Sequence, residues 1–196
     1  MDFWCLIKDW QTGIVGLLAV VVAAAALFWD RKDRRDTWLS KNQAARAQMP
    51  DALAELSQYL SGVMAYLRGK AEELPEPRRE AIKVLNKTIE FTDPETASNI
   101  SKLIINYQVH VSRMYKSEAM FDRNEHVYDI SLISAYISRL FEFSRGIIKH
   151  VPDMKLEARE VINGLQQNIE LYMYKPGDAE FDGVVEIIKR RHSDPA

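Results

Sequence analysis

The sequence predicts an all-α protein: a single N-terminal transmembrane helix that continues into a charged stalk, then a cytoplasmic helical bundle of four long and two short helices. Three observations predict it. Gly13 to Trp29 is an uncharged apolar run of 17 residues. After it, apolar residues recur at spacings of three and four, the helical period. No stretch alternates convincingly with period two, and no hairpin dipeptide separates two apolar runs. The expected organisation is a short outer segment at 1–12, the span at 13–29, a basic helical stalk at 30–49, the bundle at 50–192 and a tail at 193–196.

The apolar run comes first. At the helical rise it measures roughly 26 Å, close to a hydrocarbon core of about 30 Å. Trp10 and Trp29 bracket it, and indole rings favour the two headgroup boundaries. Ala24 and Ala26 resemble a signal-peptidase site, but the first twelve residues hold Asp2, Lys8 and Asp9 and lack a positive n-region. Arg31, Lys32, Arg34 and Arg35 follow the run at once and resist translocation. One cation before the span against four after it places the amino end outside the inner membrane and the rest of the chain in the cytoplasm. Asp30, Asp33 and Asp36 interleave with these cations, and the spacing pairs Asp30 with Arg34 and Lys32 with Asp36. The lone cysteine, Cys5, precedes the span, so the large domain holds no disulfide.

Within the span Thr12, Gly16, Ala19, Ala23 and Ala26 recur at 4-3-4-3 spacing, a stripe of small side chains that permits close approach of a second helix in lipid. A homo-oligomer is expected from it, although alanine is common in such segments.

The stalk has neither glycine nor proline as far as Met49, and Pro50 is expected to interrupt it. Then Leu53, Leu60, Leu67 and Leu74 repeat every seven residues, with Leu56 and Val63 at the partner position. These leucines read as a coiled-coil-like seam within one bundle rather than a zipper between chains. Gly62 and Gly69 weaken a free-standing helix and point to a close neighbour. Pro75 and Pro77 end this helix, and a short one follows over 78–91. In "TDPE", Asp93 caps the next helix and Pro94 takes its first position. That helix carries Ile100, Ile104, Tyr107, Val111 and Met114. The following one carries Ile130, Ile133, Ile137, Leu140, Ile147 and Val151, and Pro152 ends it. Ala158, Ile162, Leu165 and Ile169 mark the fifth, and residues 181–192 a last amphipathic helix.

Chemical signatures are sparse. Glu118, Asp122 and His126 lie at i, i+4 and i+8 and form a weak candidate metal site, but no Glu-x-x-His of the di-iron bundles occurs. No Gly-rich phosphate loop, nucleophile elbow, C-x-x-C or H-E-x-x-H is present. Ser131, Ser134 and Ser138 line one side of their helix, where small side chains allow another helix to come close. Of the chain's 26 Lys/Arg and 28 Asp/Glu, 19 and 23 lie beyond residue 49, so the large domain is mildly acidic and offers no basic face for nucleic acid. Eight tyrosines suit half-buried seams and interfaces. The expectation is a non-enzymatic, cofactor-free scaffold presenting its bundle to a cytoplasmic protein. The alternatives are a membrane effector that assembles in the bilayer and an enzyme with an unrecognised, metal-dependent site.

Overall fold

The helical spacing becomes six α-helices in the computed structural model, which describes residues 3–116, 123–153, 155–170 and 179–192, with side chains for 18, 20–115, 123–153, 155–167, 179 and 181–192. They are α1 (Phe3–Leu67), α2 (Arg79–Ile89), α3 (Pro94–Lys116), α4 (Arg123–Ser144), α5 (Ala158–Glu170) and α6 (Ala179–His192), with no strand among the described residues. Contacts divide the chain into two compact units, Met1–Lys41 and Asn42–Ala196. The α1 helix contributes to both.

The first unit is helix alone. Every residue from 20 to 41 is exposed. Among the described residues no helix is long and apolar enough to cross a membrane. Gly13–Trp29 falls only partly within that search, because the side chains of 1–17 and of Ala19 lie outside the described residues. All four tryptophans of the chain belong to this unit.

In the second unit α4 is the central element: its buried residues include consecutive runs such as His126–Ser131 and Ile133–Ile137, so it is enclosed on all sides. The α3 and α5 helices pack on it, α6 packs on α4 and α5, and α2 packs on α3. Side chains of α1 from Met49 to Met64 join the same core. The expected inward residues of α2, Ile82 and Leu85, are buried there, as are Ile100, Ile104 and Tyr107 of α3. The α3 start matches its sequence signal: Asp93 Oδ1 accepts a bond from the Thr96 N–H at 3.0 Å, with Pro94 following. The segment between α4 and α5 is pinned to α3, since Thr96 Oγ1 accepts from the Val151 N–H at 2.8 Å and the Asn99 amide donates to the Pro152 carbonyl at 3.1 Å.

Three boundaries differ from expectation. Pro50 does not break the helix; it lies inside α1. Its nitrogen cannot bond the carbonyl of Arg46, a loss of about 3 kcal/mol in an ordinary helix. Ala45 and Met49 before it and Ala52, Leu53 and Leu56 after it are all buried on one continuous face. At about 1.5–3 kcal/mol for each large apolar side chain, that face outweighs the break. Second, α1 stops at Leu67, so Leu74 lies beyond it. Gly69 has φ +66°, the Lys70 N–H bonds Ala65 O at 2.9 Å and the Gly69 N–H bonds Tyr66 O at 2.9 Å, a Schellman end. Third, α4 stops at Ser144 rather than running to Val151. Gly146, with φ +78°, repeats the motif: Ile147 N–H to Glu142 O and Gly146 N–H to Phe143 O, each at 3.0 Å. Ile147 consequently leaves the inward stripe and is 67% exposed.

Candidate functional site

The first candidate is the helix of the N-terminal unit. Leu18, Val20, Val21, Val22, Leu27, Phe28 and Trp29 cover most of the circumference of α1 there and are 56–69% exposed. Ala23 and Ala26 of the small-residue stripe are also exposed; the side chains of Thr12, Gly16 and Ala19, and of Trp10, lie outside the described residues. One turn further, Arg34 Nε meets Asp30 Oδ2 at 3.0 Å, as its spacing predicts. Lys32 does not pair with Asp36. Its Nζ lies over the Trp29 ring, 5.5 Å from the centroid, where a cation meets the negative face of the indole. Arg31 and Arg35 are exposed.

The leucine seam enters the second unit's own core. Leu53, Leu56, Leu60 and Val63 are fully buried, while Leu67 and Leu74 are partly buried against the same cluster. What approaches Gly62 is not a helix but the Pro75 ring, whose Cγ lies 3.0 Å from where a Cβ would stand. The serine face of α4 is where α5 comes closest. A Cβ on Gly164 would stand 2.5 Å from Ser131 O and 3.4 Å from Ser134 Cβ, and Ser138 Oγ donates to Gln167 Oε1 at 3.0 Å.

The second candidate surrounds His126. Glu118 and Asp122 lie outside the described residues, and among the described residues no group of three His, Cys, Asp or Glu side chains could hold a metal. His126 itself is buried and faces His110 of α3, with ring centroids 6.1 Å apart. Asp129, one turn on, meets Arg113 Nη1 at 2.7 Å. Tyr59 of α1 stands edge-on to His110 at 6.3 Å. His110 is 0% exposed, and neither its ring nitrogens nor the Tyr59 hydroxyl has a hydrogen-bond partner among the described residues. Burial, followed by the neighbouring His126 and Arg113, pushes the His110 imidazole down to about 3. Burial also lowers His126. Burial raises the Asp129 carboxyl, with Arg113 opposing. The two imidazoles pack between α1, α3 and α4, and burial favours their neutral forms.

Further polar groups serve the packing. Arg46 donates through Nε and Nη2 to the Phe143 carbonyl and through Nη2 to Ile148 O at 2.9 Å, with its guanidinium 4.1 Å above the Phe143 ring. It closes the C-terminal end of α4. Arg139 Nη2 meets both Glu160 carboxylate oxygens at 2.9 Å, and Arg145 lies over Phe141 at 5.1 Å. The last residues of α6 tie it to other elements. Arg191 forks onto Glu125 at 2.9 Å. His192 Nδ1 donates to Leu156 O at 2.8 Å, and its Nε2 lies at hydrogen-bond distance, 3.0 Å, from Tyr128 Oη. Sequence spacing could not reveal these pairs, because they join residues more than 30 positions apart.

Among the described residues, two surface grooves stand out. One of about 920 Å³ lies beside the start of α2, lined by Glu55, Arg78, Arg79, Ser112 and Tyr115 among others. One of about 510 Å³ lies between α4 and α5, lined by Ser138, Arg139, Glu160 and Gln167. Both carry acidic and basic side chains. No protein-family model, curated protein or solved structure matches the chain.

Proposed function

We propose that the chain is a single-pass membrane protein whose apolar α1 segment, 13–29, anchors a non-enzymatic helical interaction bundle on the cytoplasmic side, with the amino end outside and the anchor self-associating. One observation carries this reading: large apolar side chains from Leu18 to Trp29 are exposed around most of one helix, and exposed alanines, Ala23 and Ala26, fill the remaining face. An apolar surface of that extent is an interaction site with lipid or protein, not a solvated one. The uncharged run reaches back to Gly13, Trp29 sits at its end, and four cations follow within six residues. Those features fit a span held by an interfacial indole and a positive cytoplasmic flank. The bundle favours an interaction role through its continuous apolar core, around which Arg46, Arg139 and Arg191 tie one element to another.

The test is alkaline carbonate extraction of native membranes, with a reporter fused to the carboxyl end. Retention in the pellet with a cytoplasmic reporter is expected. Release of the intact chain, or a reporter on the outer side, refutes the assignment.

A further inference from the structure

Past the apolar run, the charges of α1 sort by sign around the helix. At about 100° per residue, Arg31 and Arg35 share one side, and Asp33 and Asp36 share the other, about 150° away. All four are exposed. Asp30 is engaged with Arg34, and Lys32 lies over Trp29, whereas Arg31, Arg35, Asp33 and Asp36 form no ion pair among the described residues. Both pairs span the same turns, with centres about 2 Å apart along the axis.

We propose that residues 30–41 form a side-by-side contact between parallel copies of this chain, in which Arg31 and Arg35 of one stalk face Asp33 and Asp36 of the next. The proposal rests on the anchor reading above, because a shared orientation in one bilayer sets the stalks parallel and level. An antiparallel pair would match the same charges but would point the two apolar runs away from each other. Anionic headgroups are a poorer occupant: they attract the arginine side and repel the aspartate side. A second copy satisfies both sides at once. Because the two sides differ, the contact is heterologous, and each copy offers a free side to a further neighbour. Each exposed pair is individually weak, so the contact depends on confinement to one plane and is screened by salt.

The test uses the full chain carrying donor or acceptor fluorophores at its carboxyl end, in nonionic micelles and in neutral phosphatidylcholine vesicles. Two variants are compared, Arg31→Glu/Arg35→Glu, acidic on both sides, and Asp33→Lys/Asp36→Lys, basic on both. Wild type is expected to show energy transfer that weakens as sodium chloride rises. Each variant alone is expected to associate at least about tenfold more weakly, and an equal mixture of the two to recover. Wild-type chains that fail to transfer, variants that transfer like wild type, a mixture that does not recover, or transfer that requires anionic lipid each overturn the contact. The salt titration needs no variant, so misfolding of the variants cannot shield the proposal. Carbonate extraction of cells expressing the same chains separates the two readings: retention without transfer overturns the contact alone, and release overturns the anchor.

Discussion

Replacing Gly164 by alanine should destabilise the bundle by about 2 kcal/mol, although alanine is the better helix former. Gly164 lies in α5 where that helix crosses α4. An added Cβ would stand 2.5 Å from Ser131 O and 3.0 Å from the Ala135 nitrogen, both backbone atoms of the central helix. An ordinary C···O approach is about 3.3 Å, so the helices must part by about 0.8 Å. Their shared side chains, Val161 and Leu165 among them, are buried to within 1% of complete. Overpacking of this kind costs about 1–3 kcal/mol, and rigid backbone neighbours place it near the upper end. The intrinsic gain of alanine over glycine returns about 1 kcal/mol. For a unit of this size the net loss lowers Tm by about 4–8 °C. The assay is urea denaturation of the full chain in nonionic detergent, followed by circular dichroism, with the midpoint shifting at constant slope. Gly183→Ala is the control. Its nearest neighbour is the end of the Asn124 side chain at 3.1 Å, which can yield, so its change should stay within about 1 kcal/mol. Gly164→Ala chains as stable as wild type would refute the close crossing.

Three further outcomes follow from the core and the helix ends. His110 is held near 3 in the folded chain against 6.5 when unfolded, so its contribution is full above pH 6.5 and declines as pH falls toward 3. The decline is at most about 1.4 kcal/mol per pH unit for this group. His126, also lowered, adds in the same direction, and Asp129, raised by burial, opposes it as pH falls through its raised value toward 3.8. Stability measured from pH 7 to 5 should therefore fall, with a shallower slope in His110→Phe; an unchanged slope removes His110 as its source. Arg46→Ala should cost about 1–3 kcal/mol in the same denaturation assay, because the Phe143 and Ile148 carbonyls lose a charged donor, and Arg46→Lys should not restore it, lacking the fork. Asp93→Ala should cost about 1 kcal/mol through the lost α3 cap, while Asp93→Ser keeps most of it; equal losses in the two would show that the cap is not what matters.

Helix type and order were legible in the sequence because periodicity and caps are local. Asp93 with Pro94 marks the α3 start correctly, and the leucine seam from Leu53 to Val63 is buried as a helix face must be. The errors share one cause, the weighing of a local breaker against distant packing. Pro50 read as a stop, yet the apolar face running through it is long enough to hold the helix together. Gly69 reads as a position that a neighbour approaches closely, yet it is, like Gly146 in α4, the left-handed residue that ends its helix. Both follow an arginine, in "LRGK" and "SRGI", and in both a hydrophobic stripe continues past the glycine and masks the stop. The polar cluster was half legible. The spacing of His126 implies a ligand face shared with Glu118 and Asp122, whereas its ring packs against His110 across the α3–α4 contact, with Asp129 nearby. In the stalk, the Asp30–Arg34 pair follows from spacing alone, but Lys32 prefers the adjacent indole to Asp36.

The segregation of indoles has a spectroscopic use. Trp4, Trp10, Trp29 and Trp38 all precede residue 42, and the second unit has only tyrosine and phenylalanine for chromophores. Red-edge excitation near the indole band therefore illuminates only the N-terminal unit, while phenolic absorbance reports mainly on residues 42–196. Solvent or lipid contact of the one and unfolding of the other can be followed in a single cuvette, with no label attached to either.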